Sequence, residues 1–525
     1  MKRRFDDGVL TSGCRCCLSR RRFLAGCAAC AAGATGVARW PTRAVAAADS
    51  TKPRVRAVFS HPTPDRITWP NIGYDYDGRA KEILRQLAAL CPEVELLPNT
   101  VIDKEQAQKV IDDDANVDGY LIYVLGIGGN GAMVVDAVGK AGRPMVVVED
   151  QYAGPYSLGF NGRAQKAGWK AVCLASTRME DIAAAVRCFR VLKTPGATPD
   201  NFLTAAKAVY QKAIGPMGDM ACAEDHVEAR PVQQCLDKLR QSTILLVGRE
   251  PGPEGKAIEK VFGTQVVPLK LAELDEAFKR ADPDQAARWA DAWSKAAEKI
   301  VEPTREDILK SGAFHVAMQE VMKKHNAQAI SINCLGGFYS GQLQAFPCLG
   351  FVELNNQGLV GACEGDQRST ITMLAMSYLV GRPGFISDPV VDLAKHQVIY
   401  AHCVAPTKVF GPQGTANAYH IRSHSEDRRG AAVRSLLPLG YMTTTLEFLP
   451  SRREVLFHQG KSVANIDEDK ACRTKLAVDL KGDLDRLFTH WGHGWHRVTY
   501  YGDLKEPVEQ LCKALDLTLI EEAAS

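Results

Sequence analysis

The sequence predicts an α/β protein: two doubly wound α/β segments followed by a β-rich, barrel-like C-terminal part. Three observations predict it. Short β-branched runs alternate with longer helical patterns from Arg54 onward. The alternation resumes after a Pro- and Gly-bearing stretch at 192–201, LKTPGATPDN. Beyond Gly384 the helical patterns give way to short strands between Gly, Pro and polar turns. Alternation argues a parallel sheet covered by helices, and clustered short strands argue an antiparallel sheet or barrel.

In order, Arg54–Ser60 reads as the first strand and 78–90 as an amphipathic helix. Further strands are expected at 93–97, 119–125 and 144–149, with helices at 104–113 and 132–141. The stretch 192–201 reads as a linker, since Pro and Gly punctuate structure. Strands follow at Thr243–Val247, Gln265–Leu269 and Ala329–Ile332, with helices at 254–262, Leu271–Arg280, 285–300 and 305–325. A helix at 369–380 precedes the tail strands 397–401, Met442–Leu449 and Arg497–Tyr501. The expected divisions are 1–48, 50–195, 196–383 and 384–525.

The chain has 525 residues, 46% of them apolar and 24% charged, which excludes a disordered or fibrous chain. No run of 18 or more apolar residues appears, so no stable membrane span is expected. Residues 1–48 hold nine Lys/Arg and two Asp, a net of +7 within a chain total of +3, so the remainder carries −4. A mildly acidic body without a basic stripe gives no case for nucleic acid. The basic start contains Ser19-Arg20-Arg21-Arg22-Phe23-Leu24, which matches the twin-arginine export pattern. An Ala/Gly-rich apolar run and the small residues Ala44 to Ala48 follow it. That order reads as an export signal, and a periplasmic or exported location is the expectation. Five of the 16 cysteines fall before residue 48. The other eleven are scattered without zinc-ribbon spacing and read as buried thiols.

Gly126-Ile127-Gly128-Gly129-Asn130-Gly131 fits G-x-G-x-x-G, with Glu149 and Asp150 ending the next strand. On spacing this is a dinucleotide fingerprint, but it follows the third strand rather than the first. A nicotinamide-dependent sugar oxidoreductase is therefore one reading, and a non-catalytic periplasmic sugar-binding protein is another.

The C-terminal third is richer in chemistry. Eight of twelve histidines lie from His396 onward. Glu364 sits in A-C-E-G-D and Asp388 in S-D-P, 24 residues later, with the helix 369–380 between them. Loop, helix and strand would return Asp388 close to Glu364. Trp491-Gly492-His493-Gly494-Trp495-His496 precedes the last expected barrel strand. Two carboxylates and an imidazole from distant segments suit a hard or borderline divalent ion such as Mn²⁺ or Mg²⁺. An unpaired buried carboxylate is costly, and a cation relieves both acids. Ser423-His424-Ser425-Glu426 reads as a solvated turn, and Gly336 to Gly341 as a Gly-rich turn.

On CEGD with TITM, the S-D-P acid and the His402-Cys403 pair, the chain resembles the L-fucose isomerase and L-arabinose isomerase superfamily. The resemblance is best over 330–504. It implies an aldose–ketose sugar isomerase with a small-molecule sugar substrate. Glu364 and Asp388 would be metal ligands and the acid/base pair, with chemistry running through an enediolate. A late histidine, His496, is implied as third ligand with His493 competing for the place, and His402 as a ligand or close neighbour. The resemblance further implies a homo-oligomer, trimer or hexamer.

Overall fold

The computed structural model describes residues 52–113 and 116–524; the export signal read at 1–48 lies outside the described residues. The first sheet is parallel. Its strands are β1 (Arg54–Ser60), β2 (Glu95–Val101), β3 (Gly119–Val124), β4 (Met145–Glu149) and β5 (Ala171–Leu174), in the order β2-β1-β3-β4-β5. Helices Tyr76–Leu90, Lys104–Asp112, Gly131–Lys140 and Phe160–Lys166 carry the crossovers. The central strands β3 and β4 are wholly buried apolar runs, GYLIYV and MVVVE, as expected where helices cover both faces.

The second parallel sheet has β6 (Thr243–Val247), β7 (Gln265–Leu269), β9 (Ala329–Ile332) and β10 (Val360–Ala362), ordered β10-β9-β6-β7. A small third sheet joins β8 (Lys299–Ile300) to β13 (Tyr419–Arg422) and β14 (Ala432–Ser435). The C-terminal strands β11 (Phe385–Asp392), β12 (Gln397–His402), β15 (Met442–Leu449), β16 (Glu454–Asn465), β17 (Thr474–Lys481) and β18 (Arg497–Tyr501) pair in the order β15-β18-β11-β12-β17-β16. Pairing of β15 with β16 closes that ring into a six-stranded barrel, and β19 (Thr518–Glu521) adds in parallel to β16. Closure removes the edges that an open antiparallel sheet would expose. The fold class read from the sequence is the observed one.

Helix Gln367–Val380 joins the second sheet to the barrel. Eleven of its 14 residues are buried, so it is enclosed all round rather than on one stripe, and its buried Ser and Thr hydroxyls are hydrogen-bonded. Asp366 caps its start by accepting from the Arg368 and Ser369 N–H groups, and Gly381 ends it at φ 68°.

Two sequence expectations are corrected. The linker at 192–201 shrinks to the turn 194–198, between a 3₁₀ turn, Cys188–Lys193, and helix Pro199–Ala213. Pro199 occupies a first-turn position and the Asn201 side chain accepts the Thr198 N–H at 2.8 Å, so residues that look like punctuation are an N-cap. The helix expected over 285–300 stops at Ala296, because Lys299 and Ile300 leave it to pair with β13. The eleven described cysteines are free thiols, ten of them buried. Among the described residues no helix is long and apolar enough to cross a membrane.

Candidate metal centre

Four polar side chains converge where the second sheet meets the barrel. β10 ends at Ala362, and the chain turns sharply through Glu364 and Gly365, both at φ 64°. A left-handed non-glycine residue costs about 1–2 kcal/mol, so the turn holds Glu364 against its backbone preference. Asp388 lies within β11. That strand pairs Ser387 with Arg497, and continuing the register sets Asp388 opposite His496. On the other side Asp388 pairs with Ala401, one residue before His402.

One ligand atom from each of Glu364, Asp388, His402 and His496 lies within 4.8 Å of the other three. His496 Nε2 stands 3.1 Å from Asp388 Oδ1 and 3.6 Å from Glu364 Oε2, and His402 Nε2 stands 3.6 Å from Glu364 Oε1. Asp388 is nearly sealed, while Glu364 keeps 30% of its side chain open. Asp388 Oδ1 and His402 Nε2 are buried, yet neither finds a hydrogen-bond partner among the described residues. Buried polar atoms are rarely left so. The orphaned carboxylate oxygen of Asp388, with the Glu364 carboxylate and the His496 imidazole around it, fits a divalent cation.

The imidazoles are set differently. His496 Nδ1 lies 2.8 Å from Asp366 Oδ2. That carboxylate draws the ring proton to Nδ1 and leaves the Nε2 lone pair for an ion. His402 Nδ1 instead accepts the Cys403 backbone N–H at 2.9 Å. In the neutral ring this puts the proton on Nε2, facing Glu364, so His402 is arranged to donate.

The four groups shift one another's proton affinities. Burial and then the Asp388, Asp366 and Glu364 carboxylates act on His496; burial opposes its charge, the carboxylates win, and its pKa lies well above the usual value. Burial pushes Glu364 up, but the nearby His402 and His496 imidazoles outweigh it and bring it down to about 2. Burial dominates at Asp388 and raises its pKa.

His493, a competing ligand on sequence grounds, lies outside the cluster. Its ring is exposed at φ 62° and its carbonyl accepts from Arg368 at 2.6 Å. The loop is held instead by fully buried Arg497, which pairs with Glu522 at 2.6 Å, donates to the His496 and Gly492 carbonyls, and lies 4.1 Å above the Trp491 ring. Arg497→Met is expected to destabilise the fold by about 3–5 kcal/mol, because it removes the guanidinium partner of buried Glu522, which keeps only His458 Nδ1 at 3.0 Å, and frees the His496 and Gly492 carbonyls. Urea unfolding measures this, and an unchanged midpoint would contradict it.

The glycine-rich loop serves packing. Gly131 N–H donates to Ser60 Oγ at 2.8 Å, and a Cβ at Gly129 would lie 2.5 Å from that oxygen. The glycines therefore let the loop close onto the end of β1. Glu149 accepts from the Tyr156 and Ser157 N–H groups, and Asp150 is paired with Arg79 at 2.7 Å. The acids that a ribose would need are committed to the protein itself.

The turn Ser423 to Glu426 is not solvated. His424 and Ser425 are buried, and Glu426 accepts from the Tyr339 hydroxyl at 2.7 Å. Asp366, whose carboxylate holds the His496 ring, is the residue of the cluster's surroundings that sequence reasoning passed over. Its signal was present, an acid directly before an apolar helix, but capping alone accounts for such a residue.

No family model matches the chain. It is similar to proteins named sulfoquinovose isomerase. The one from Priestia aryabhattai is 22% identical over 338 residues, 62% of this chain and 74% of the relative. The one from Alkalicoccus urumqiensis is 24% identical over 342 residues, 62% and 75%. The one from Clostridium sp. (strain MSTE9) is 26% identical over 305 residues, 53% and 64%.

Proposed function

We propose that this chain is a sugar isomerase that interconverts an aldose and its ketose, with Glu364, Asp388 and His496 holding Mn²⁺ or Mg²⁺. The observation that carries the reading is the meeting of four ligand atoms from positions 364, 388, 402 and 496 within 4.8 Å. The names of the similar proteins support the same reaction class.

The reaction moves two protons, one from C2 to C1 and one from O2 to O1. Two carboxylates suit two transfers. Glu364 is the acid open to approach, and Asp388 faces the same point from the barrel side. Positioned acid–base groups supply about 10²–10⁴ in rate. A bound divalent ion supplies electrostatic stabilisation of the charge that develops on the two adjacent oxygens. His402 Nε2 faces Glu364 from 3.6 Å, and Asp366 fixes the orientation of His496.

The test is a panel of aldoses, sulfoquinovose among them, incubated in D₂O with Mn²⁺, Mg²⁺ or EDTA and read by NMR. Ketose formation that needs the ion supports the reading, and its absence from every arm contradicts it. Asp366→Asn is expected to weaken ion affinity about 10–100-fold with little loss of stability, because Asn still caps the helix but is a poorer acceptor for His496. Calorimetric titration with Mn²⁺ checks this; equal affinity would contradict it.

Residues 1–48 are proposed as a twin-arginine export signal, and the assembly as a homo-oligomer, trimer or hexamer. Replacing Arg20 and Arg21 by Lys should retain the protein in the cytoplasm. Light scattering reads the assembly, and a monomer would contradict it.

A further inference from the structure

Two buried acids meet at one hydroxyl behind the cluster. Ser369 Oγ lies 3.1 Å from Asp366 Oδ2, and 3.2 and 3.3 Å from the two carboxyl oxygens of Glu447, which reaches it from β15. A serine hydroxyl has one hydrogen to give and lone pairs with which to accept. Asp366 is already filled as an acceptor. Its Oδ1 takes the Arg368 and Ser369 N–H groups at 2.9 and 3.2 Å, and its Oδ2 takes the His496 ring at 2.8 Å. Every approach to Asp366 is thus by a donor, and it carries no hydrogen of its own. The hydrogen that reconciles Ser369 with both acids sits on Glu447.

Burial points the same way. Glu447 is 1% exposed and Ser369 0%. The cations around Glu447 are engaged elsewhere: Arg497 with Glu522, Arg368 with the His493 carbonyl, and the His496 ring with Asp366. A charge on Glu447 would be sealed from water and close to the Asp366 carboxylate, and a buried acid so placed keeps its proton. Burial, and after it the Asp366 charge, hold the Glu447 pKa well above the usual value.

We propose that Glu447 is a positioning residue of the metal centre: as an uncharged acid it donates to Ser369 Oγ, which turns the Ser369 hydrogen onto Asp366 and holds that carboxylate against His496. The hydrogens then run one way, from Glu447 to Ser369 to Asp366, and meet the His496 N–H at the Asp366 carboxylate. The inference rests on the reading of His496 as an ion ligand and extends its support by two residues. A glutamine amide makes the same donation to Ser369; a leucine makes none.

The test uses the full chain and its Glu447→Gln, Glu447→Leu and Ser369→Ala variants, with melting temperatures recorded for each. Infrared spectra at pH 9 should show the C=O stretch of a protonated carboxyl in the wild type that is missing from Glu447→Gln. Spectra without that difference overturn the inference. Calorimetric titration with Mn²⁺ should give an affinity within about threefold of wild type in Glu447→Gln, and about 10-fold weaker in Glu447→Leu and Ser369→Ala. A need for charge at this position would make Gln fail as Leu does, and a need for bulk alone would spare Leu; either pattern overturns the inference. If the wild type binds no Mn²⁺, the ion reading fails by itself, and ¹⁵N NMR of labelled histidines decides the positioning role. A His496 Nδ1 resonance displaced in Glu447→Leu and Ser369→Ala but kept in Glu447→Gln then supports it. A resonance common to all four proteins, or displaced as far in Gln as in Leu, overturns it.

Discussion

Glu364→Gln and Asp388→Asn each lower turnover by about 10⁴-fold or more while the fold persists. Each change removes a proton-transfer group, commonly worth about 10²–10⁴. It also removes one charged ligand, so stabilisation of the developing charge falls with it. Neither change disturbs packing. Gln keeps the shape of Glu364, whose side chain is 30% open, and inherits the same left-handed turn. Asn keeps the shape of Asp388, and a neutral amide is easier to bury than a carboxylate. Initial rates of ketose formation, beside melting curves by circular dichroism, check both halves. Full activity in either variant would refute its role, and an unfolded variant would refute the account of its packing.

Removing the ion is expected to abolish activity, and the stabilisation that the ion provides is expected to grow with pH. The signs follow from His496 and Glu364. In ion-free protein the His496 pKa is raised, so the stability it contributes is full below its unfolded value near 6.5 and is lost as pH rises through the folded value. Glu364 is lowered to about 2, so its contribution is present above about 4.5 and is lost as pH falls through about 2. Between those limits the proton on His496 stands where the ion should be. Binding expels that proton, so affinity rises with pH and activity fails on acidification. At an ion concentration of 1,000 Kd the gain is about 4 kcal/mol. Thermal melts with and without Mn²⁺ should show a larger shift at pH 8.5 than at pH 6. A shift that is equal, or larger at pH 6, contradicts the assignment.

Much of the fold was legible because local and global signals agree. Thr243–Val247, Ala329–Ile332 and Met442–Leu449 are β-branched or apolar runs bounded by turns, and each is the strand the periodicity predicts. The misreadings occurred where one residue type serves two purposes. Pro199 and Thr198 start a helix as readily as they mark a linker, and only tertiary pairing decides that Lys299 and Ile300 leave one. At the site, the convergence of Glu364, Asp388 and His496 was legible from residue type and order. The choice between His493 and His496 was not. It depends on a turn with φ 62° at His493 and on the buried Arg497 that anchors the loop from beneath. Nor was the split between the two imidazoles, since a backbone N–H sets one ring and a carboxylate sets the other.

The most direct measurement is the metal content of the purified full chain, by mass spectrometry after equilibration with Mn²⁺ and gel filtration, compared with Glu364→Gln, Asp388→Asn and His496→Ala. The account predicts about one ion per wild-type chain and a stoichiometry near zero in each variant. Ion content that is the same in all four proteins, or absent from a wild type that still isomerises its sugar, would contradict it.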